Sequence, residues 1–185
     1  MHLEQQGFAG APRHLGDDSL GRDVLTYVPG TVPPELGKWS RGQLTTAAQL
    51  LRSFHDATVA CDAKGDCEII CHGDASPCNC VFVDGFPFAF IDFDDAHPGS
   101  RLEDLGYASW LWLDIGNAEY SGQEQTSRLA TFFFDYGMTI ESTVVEPVLA
   151  AQKRLRDRTD ASTVIREWAD RCHTWTLENL STRRA

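Results

Sequence analysis

The chain is predicted to fold as an α+β protein in which short strands lead and helices complete the core. Two hairpin patterns, over 13–28 and 81–91, supply the strands. Capping boxes at Ser40-Arg41-Gly42-Gln43 and Ser100-Arg101-Leu102-Glu103 mark the starts of two strongly apolar helices. Beyond residue 100 the apolar residues recur only at helical spacing.

Residues 1–10 resemble the end of a helix running into Gly7 and Gly10. Arg13-His14-Leu15 and Asp23 to Val28 then read as two strands joined by the turn-rich Gly16 to Gly21. An isolated two-stranded hairpin is marginal in water, so its free edge is expected to pair with a second copy of the chain. Pro29 to Pro34 breaks regular structure, as a hinge would. Residues 1–35 are accordingly one unit and 36–185 a larger helical one.

After the Ser40 cap, Leu44, Ala47, Ala48, Leu51, Phe54 and Thr58 share one helix face, with Trp39 and Leu44 placed to staple across the cap. His55 near its end is expected to be a buried or capping residue rather than a catalytic one. Glu68 to Cys71 reads as a buried strand, and Val81 to Val83 with Phe86 to Ile91 as a hairpin about an Asp84-Gly85 type I′ turn. Pro87 must lie at an edge or bulge. The helix after Ser100 should run to Leu113 or Ile115, stop at Gly116 and form the centre of the core. Three more helices are expected at about 124–136, 141–157 and 161–180, the last of them a surface helix.

A chain of 185 residues with 42% hydrophobic content can bury a full core. Its apolar runs are too short to span a bilayer, and the start carries no basic, apolar leader, so a cytoplasmic protein is expected. Sixteen Lys and Arg against 27 Asp and Glu, a net charge of -11, argue against a nucleic-acid partner and favour a neutral or cationic small molecule. Six cysteines form no CxxC pair, and Cys78-Asn79-Cys80 would send two thiols to opposite faces of an extended chain. They are read as reduced thiols packed as small hydrophobes.

The chemistry concentrates in Ile69-Ile70-Cys71-His72-Gly73-Asp74-Ala75-Ser76-Pro77-Cys78-Asn79 and in Ile91-Asp92-Phe93-Asp94. Asp74 is the candidate catalytic base, positioned against a substrate hydroxyl. Asn79 and Asp92 are hard oxygen ligands suited to Mg²⁺ on nucleotide phosphates. The intervening hairpin brings Asn79 and Asp92 to neighbouring strand ends.

At these residues the sequence resembles the aminoglycoside phosphotransferase and choline kinase family, small-molecule relatives of protein kinases. His72-Gly73-Asp74 with Asn79 resembles the family's catalytic loop, and Ile91-Asp92-Phe93-Asp94 its metal-binding segment. The resemblance implies a protein-kinase-like fold, mostly its helical C-terminal lobe with a remnant of the N-terminal lobe. It implies Asp74 as base, Asn79 and Asp92 as Mg²⁺ ligands, Asp94 as an auxiliary acid, and ATP or GTP as phosphoryl donor. Asp104 resembles the family's buried aspartate that braces the catalytic loop, and Tyr27 with Val28 the hinge that holds the nucleotide base. One departure is plain: no Gly-rich loop precedes a strand-borne lysine, and Lys38, Lys64 and Lys153 all follow the hinge. A kinase-like module that binds without chemistry is the alternative expectation, and a thiol or metal function at Cys71, Cys78 and Cys80 a third.

Overall fold

Ser40 opens the longest helix as expected: its side chain accepts from the Gln43 N–H while Gln43 reaches back to the Ser40 N–H, and α2 (Arg41–Thr58) follows. The computed structural model describes residues 2–117, 119–138 and 144–180. Before α2 come α1 (His2–Gln5), β1 (His14–Asp17) and β2 (Asp23–Leu25). After it come β3 (Ile69–Cys71), β4 (Cys80–Val83), β5 (Phe86–Phe90), β6 (His97–Gly99), α3 (Arg101–Leu113), α4 (Gly122–Tyr136), α5 (Val145–Asp157) and α6 (Thr163–Asn179).

The strands form three separate antiparallel pairs, β1 with β2, β3 with β6 and β4 with β5. The β4–β5 turn places Asp84 at φ 51° and Gly85 at φ 81°, the two positive angles a type I′ turn needs. Pro87 lies opposite Phe82 where the register slips, so its missing N–H falls at an irregularity as anticipated.

Several expectations are corrected. The second strand ends at Leu25, not Val28, because only the Thr26 N–H to Arg13 carbonyl bond continues the ladder before Pro29. The 29–34 stretch is not wholly irregular. Thr31 exchanges both backbone hydrogen bonds with Phe82, at 3.0 and 2.7 Å, and so ties the hinge to β4. The strand β6 was not foreseen; Pro98 in its middle conceals it, and its pairing with β3 reveals it. The cap on α3 is one-way. Ser100 accepts from the Glu103 N–H, but the Glu103 carboxylate turns instead to His97 and Arg154. That helix ends at Leu113, one of the two ends expected, but Asp114 rather than Gly116 caps it in the left-handed conformation. Of the helix expected over 141–157, residues 141–143 lie outside the described residues.

The core is built around α3, whose Leu105, Ala108, Trp110, Trp112 and Leu113 are each at most 1% exposed. Trp39 packs on Phe82 and Trp112, with ring centroids 5.1 and 5.7 Å away. Trp110 stacks on Trp168 of α6 at 4.7 Å, which brings the last helix against the centre. At Gly106 the α3 and α5 backbones nearly touch, for an added Cβ would lie 2.4 Å from the Pro147 carbonyl oxygen. Alanine there gains about 1 kcal/mol of helix propensity but forces the two backbones apart, which costs about 1–3 kcal/mol. Gly106→Ala is therefore expected to lower the melting temperature, and a rise in a thermal scan would contradict this packing.

Candidate functional site

Strand β3 delivers the segment His72-Gly73-Asp74 to its open end, and Asp104 in the first turn of α3 fixes it there. The two Asp104 carboxylate oxygens accept from the His72 N–H at 2.8 Å and the Gly73 N–H at 3.1 Å. A third donor, His55 Nε2, reaches the same carboxylate at 2.9 Å. The His55 Nδ1 then accepts from the Tyr136 hydroxyl at 2.7 Å, and Tyr136 in turn accepts from Arg101 at 3.2 Å. Burial pushes the Asp104 carboxyl up, but the His55 hydrogen bond and the loop donors outweigh it and hold it below the ordinary range. His55 is thus a buried structural histidine, as its sequence position suggested, and Asp104 braces the loop.

His72 is locked by both ring nitrogens. Its Nδ1 accepts from the Asp74 N–H at 3.3 Å, so Nε2 carries the proton and donates to the Ile91 carbonyl at 3.2 Å. Burial lowers its pKa, consistent with a neutral ring. Phe54, Phe90 and Phe93 surround that ring, and the Phe93 centroid is 4.5 Å from it. The loop and the Ile91-Asp92-Phe93 segment are thereby joined side chain to backbone. Gly73, at φ 83°, is required for another reason: a Cβ would lie 2.2 Å from the Asp95 carbonyl oxygen.

Asp74 emerges at the edge of this framework. Asn79 Nδ2 donates to its carboxylate at 2.9 Å and to its backbone oxygen at 3.2 Å. Burial pushes the Asp74 carboxyl up, the neighbouring Tyr107 and Ser76 hydroxyls pull it down, and the negative charges of Asp95 and Asp92 push it up again, leaving it above the usual carboxylate range. Neither Tyr107 nor Ser76 was singled out from sequence. Tyr107 stands one turn after Asp104, so the i, i+3 spacing that serves the loop amides also serves Asp74.

Asp74 and Tyr107 line a cleft of about 380 Å³ with Leu36, Cys78, Leu111, Ile165 and Trp168. Asp95 and Asp160 also line it, and both pair with Arg158. One wall is therefore apolar and aromatic, while three carboxylates face a single guanidinium across the rest.

The sequence profile of the phosphotransferase enzyme family matches residues 9–160. The chain belongs to that family. No curated protein matches it. Family members share a kinase-like α+β fold, and the mix of helices with small antiparallel sheets seen here agrees with it.

None of the other sequence-predicted site residues, Asn79, Asp92, Tyr27 and Val28, lines this cleft. Asn79 ends the short 3₁₀ turn Pro77–Asn79, and its backbone oxygen accepts from the Ile91 N–H at 2.9 Å, so it and Asp92 stand on adjoining chain segments. With Nδ2 committed to Asp74, the Asn79 Oδ1 remains available to a cation. Asp92 is exposed at φ 62° and makes no hydrogen bond or ion pair among the described residues. One amide oxygen and one free carboxylate fit a magnesium ion, which keeps most of its ligands as water and phosphate. Asp94 is exposed as well. Tyr27, 83% exposed, and Val28 follow the end of β2, and neither makes a hydrogen bond among the described residues. Of the three lysines, Lys38 pairs with Glu119 and Lys64 bonds the Gly65 and Cys67 carbonyls.

All six cysteines are free, and burial raises the thiols of Cys71, Cys78, Cys80 and Cys172, that of Cys80 to about 12.

Proposed function

We propose that the chain transfers the γ-phosphoryl group of ATP or GTP to a hydroxyl of a small, cationic acceptor in the cytoplasm. The observation that carries this reading is Asp74, held by Asn79 and flanked by Tyr107 at the wall of a cleft large enough for a small molecule. Asp74 takes the acceptor's hydroxyl proton as that oxygen bonds phosphorus and the bridging P–O bond to the nucleoside diphosphate breaks. Asn79 Oδ1 and the Asp92 carboxylate hold Mg²⁺, whose charge offsets that of the phosphates. Residues 1–35 face the nucleotide, with the Tyr27 and Val28 backbone toward its base, and 36–185 carry the acceptor side. The excess of carboxylates over Arg158 in the cleft favours acceptors bearing an amino group.

Nucleoside diphosphate release with Mg-ATP or Mg-GTP, measured over aminoglycosides, amino alcohols and neutral sugars, tests this. Turnover with an amino-bearing acceptor is expected. A rate no higher than that of Asp74→Ala on every acceptor would overturn it.

A binding module without chemistry is the second reading, favoured by the absence of a lysine before the hinge and by the pairing of Lys38 with Glu119 and of Lys64 with backbone carbonyls. It requires tight acceptor binding in calorimetry with no product. We also propose that a second copy covers the β1–β2 hairpin, where Leu15, Leu25 and Tyr27 are exposed. Solution scattering giving a monomer at high concentration would rule that out.

A further inference from the structure

At the root of the loop that carries Asp74 lies a second group of ligating atoms that the phosphotransfer reading does not use. Cys71 Sγ, one His97 ring nitrogen and one Glu103 carboxylate oxygen lie within 4.8 Å of one another. They come from β3, β6 and the first turn of α3. We propose that Cys71, His97 and Glu103 bind a zinc ion, with a water molecule as fourth ligand.

Three observations converge on it. First, His97 Nδ1 lies 2.8 Å from the Asp95 carbonyl, which only accepts, so Nδ1 carries the proton. Its Nε2 then faces Glu103 Oε1 at 3.4 Å, so that an imidazole nitrogen and a carboxylate oxygen are turned toward one point. A carbonyl fixing the far nitrogen is also how a metal-bound histidine is oriented. Second, the space is kept open by Gly99. A Cβ there would lie 2.5 Å from Cys71 Sγ and 2.9 Å from Glu103 Oε2, between two of the ligands. Third, His97 and Glu103 line an open pocket of about 250 Å³, which provides a path of entry.

The ligand set of thiolate, imidazole and carboxylate is one that zinc accepts, at bond lengths of about 2.0–2.3 Å. Those lengths place tetrahedral ligands about 3.3–3.8 Å apart, so the three atoms need move inward by about 1 Å at most. Arg154, now paired with Glu103 Oε1 at 3.0 Å, is half exposed and free to swing into solvent. On binding, the Cys71 S–H bond breaks, an S–Zn bond forms and the proton passes to water; zinc stays divalent. Because β3, β6 and α3 are the three elements that position the loop, the ion acts as a clasp on it.

The test is zinc titration of the full chain against a chromophoric chelator, together with the absorption spectrum of the cobalt-loaded protein. One equivalent of zinc, a rise in melting temperature on loading and a thiolate-to-cobalt charge-transfer band are expected. Cys71→Ser, His97→Gln and Gly99→Ala should each weaken binding about tenfold or more. His14→Ala, at the separate exposed group of His14, Asp17 and Asp23, should leave the band unchanged. Should Cys71→Ser fail to fold, the partly exposed His97→Gln still decides. Absence of a thiolate band, or full zinc affinity in His97→Gln, would overturn the proposal.

Discussion

Asp104→Ala is expected to cost about 3–5 kcal/mol of stability and to remove phosphotransfer with it. The side chain is 1% exposed and accepts from His55, the His72 N–H and the Gly73 N–H, so its loss strands three buried donors at once. Against a total folding stability of about 5–15 kcal/mol, that is a large share. Asp104→Asn keeps a carbonyl acceptor but turns an NH₂ group toward donors, and should fall between the two. Urea denaturation measures the loss, and a change below about 1 kcal/mol in Asp104→Ala would show that the brace is dispensable. The pH dependence has a definite sign. Because the native Asp104 pKa is held below its unfolded value of about 3.9, its contribution is present above that pH and disappears as pH falls through the native pKa. The Asp104→Asn protein should therefore lose less stability than wild type across that acid window.

Asp74→Asn is the second large effect, and it is expected to separate activity from stability. Loss of a positioned general base removes about 10²–10⁴ in kcat. The same replacement discharges a carboxylate that is largely buried and lies near the charges of Asp92 and Asp95, while keeping an oxygen for the Asn79 donor. The variant should melt at or above the wild-type temperature. Kinetics and a thermal scan on the same preparation check both parts. A kcat within threefold of wild type would remove Asp74 from the chemistry, and a melting temperature lower by several degrees would show that its hydrogen bonds outweigh its desolvation.

Much of this was legible in the sequence because the signals are local. Ser40 and Gln43 form a capping box whatever surrounds them, and Asp84-Gly85 dictates a turn from its own backbone preferences. The spacing of Asp74, Asn79 and Asp92 was enough to place them on one loop and one hairpin. What escaped depends on partners distant in the chain. Pro98 argues against a strand until β3 is known to lie beside it, and Glu103 serves as half of a capping box until His97 and Arg154 compete for it. Tyr107 reads as one more apolar residue of a core helix, since only the fold shows that its hydroxyl ends beside Asp74.

The donors of Arg101, Tyr136 and His55 all run one way and terminate on the carboxylate that also takes both loop amides. A loop anchored in this manner has little freedom to drift as the family diversifies. If the cleft holds the acceptor, new preferences should accumulate across it at the exposed Ile165 on α6, whose side chain lies outside the buried network, rather than at Trp168, which the stack on Trp110 holds in place. The cleft thus sets a loop fixed by buried hydrogen bonds against a helix that meets it with one exposed aliphatic side chain.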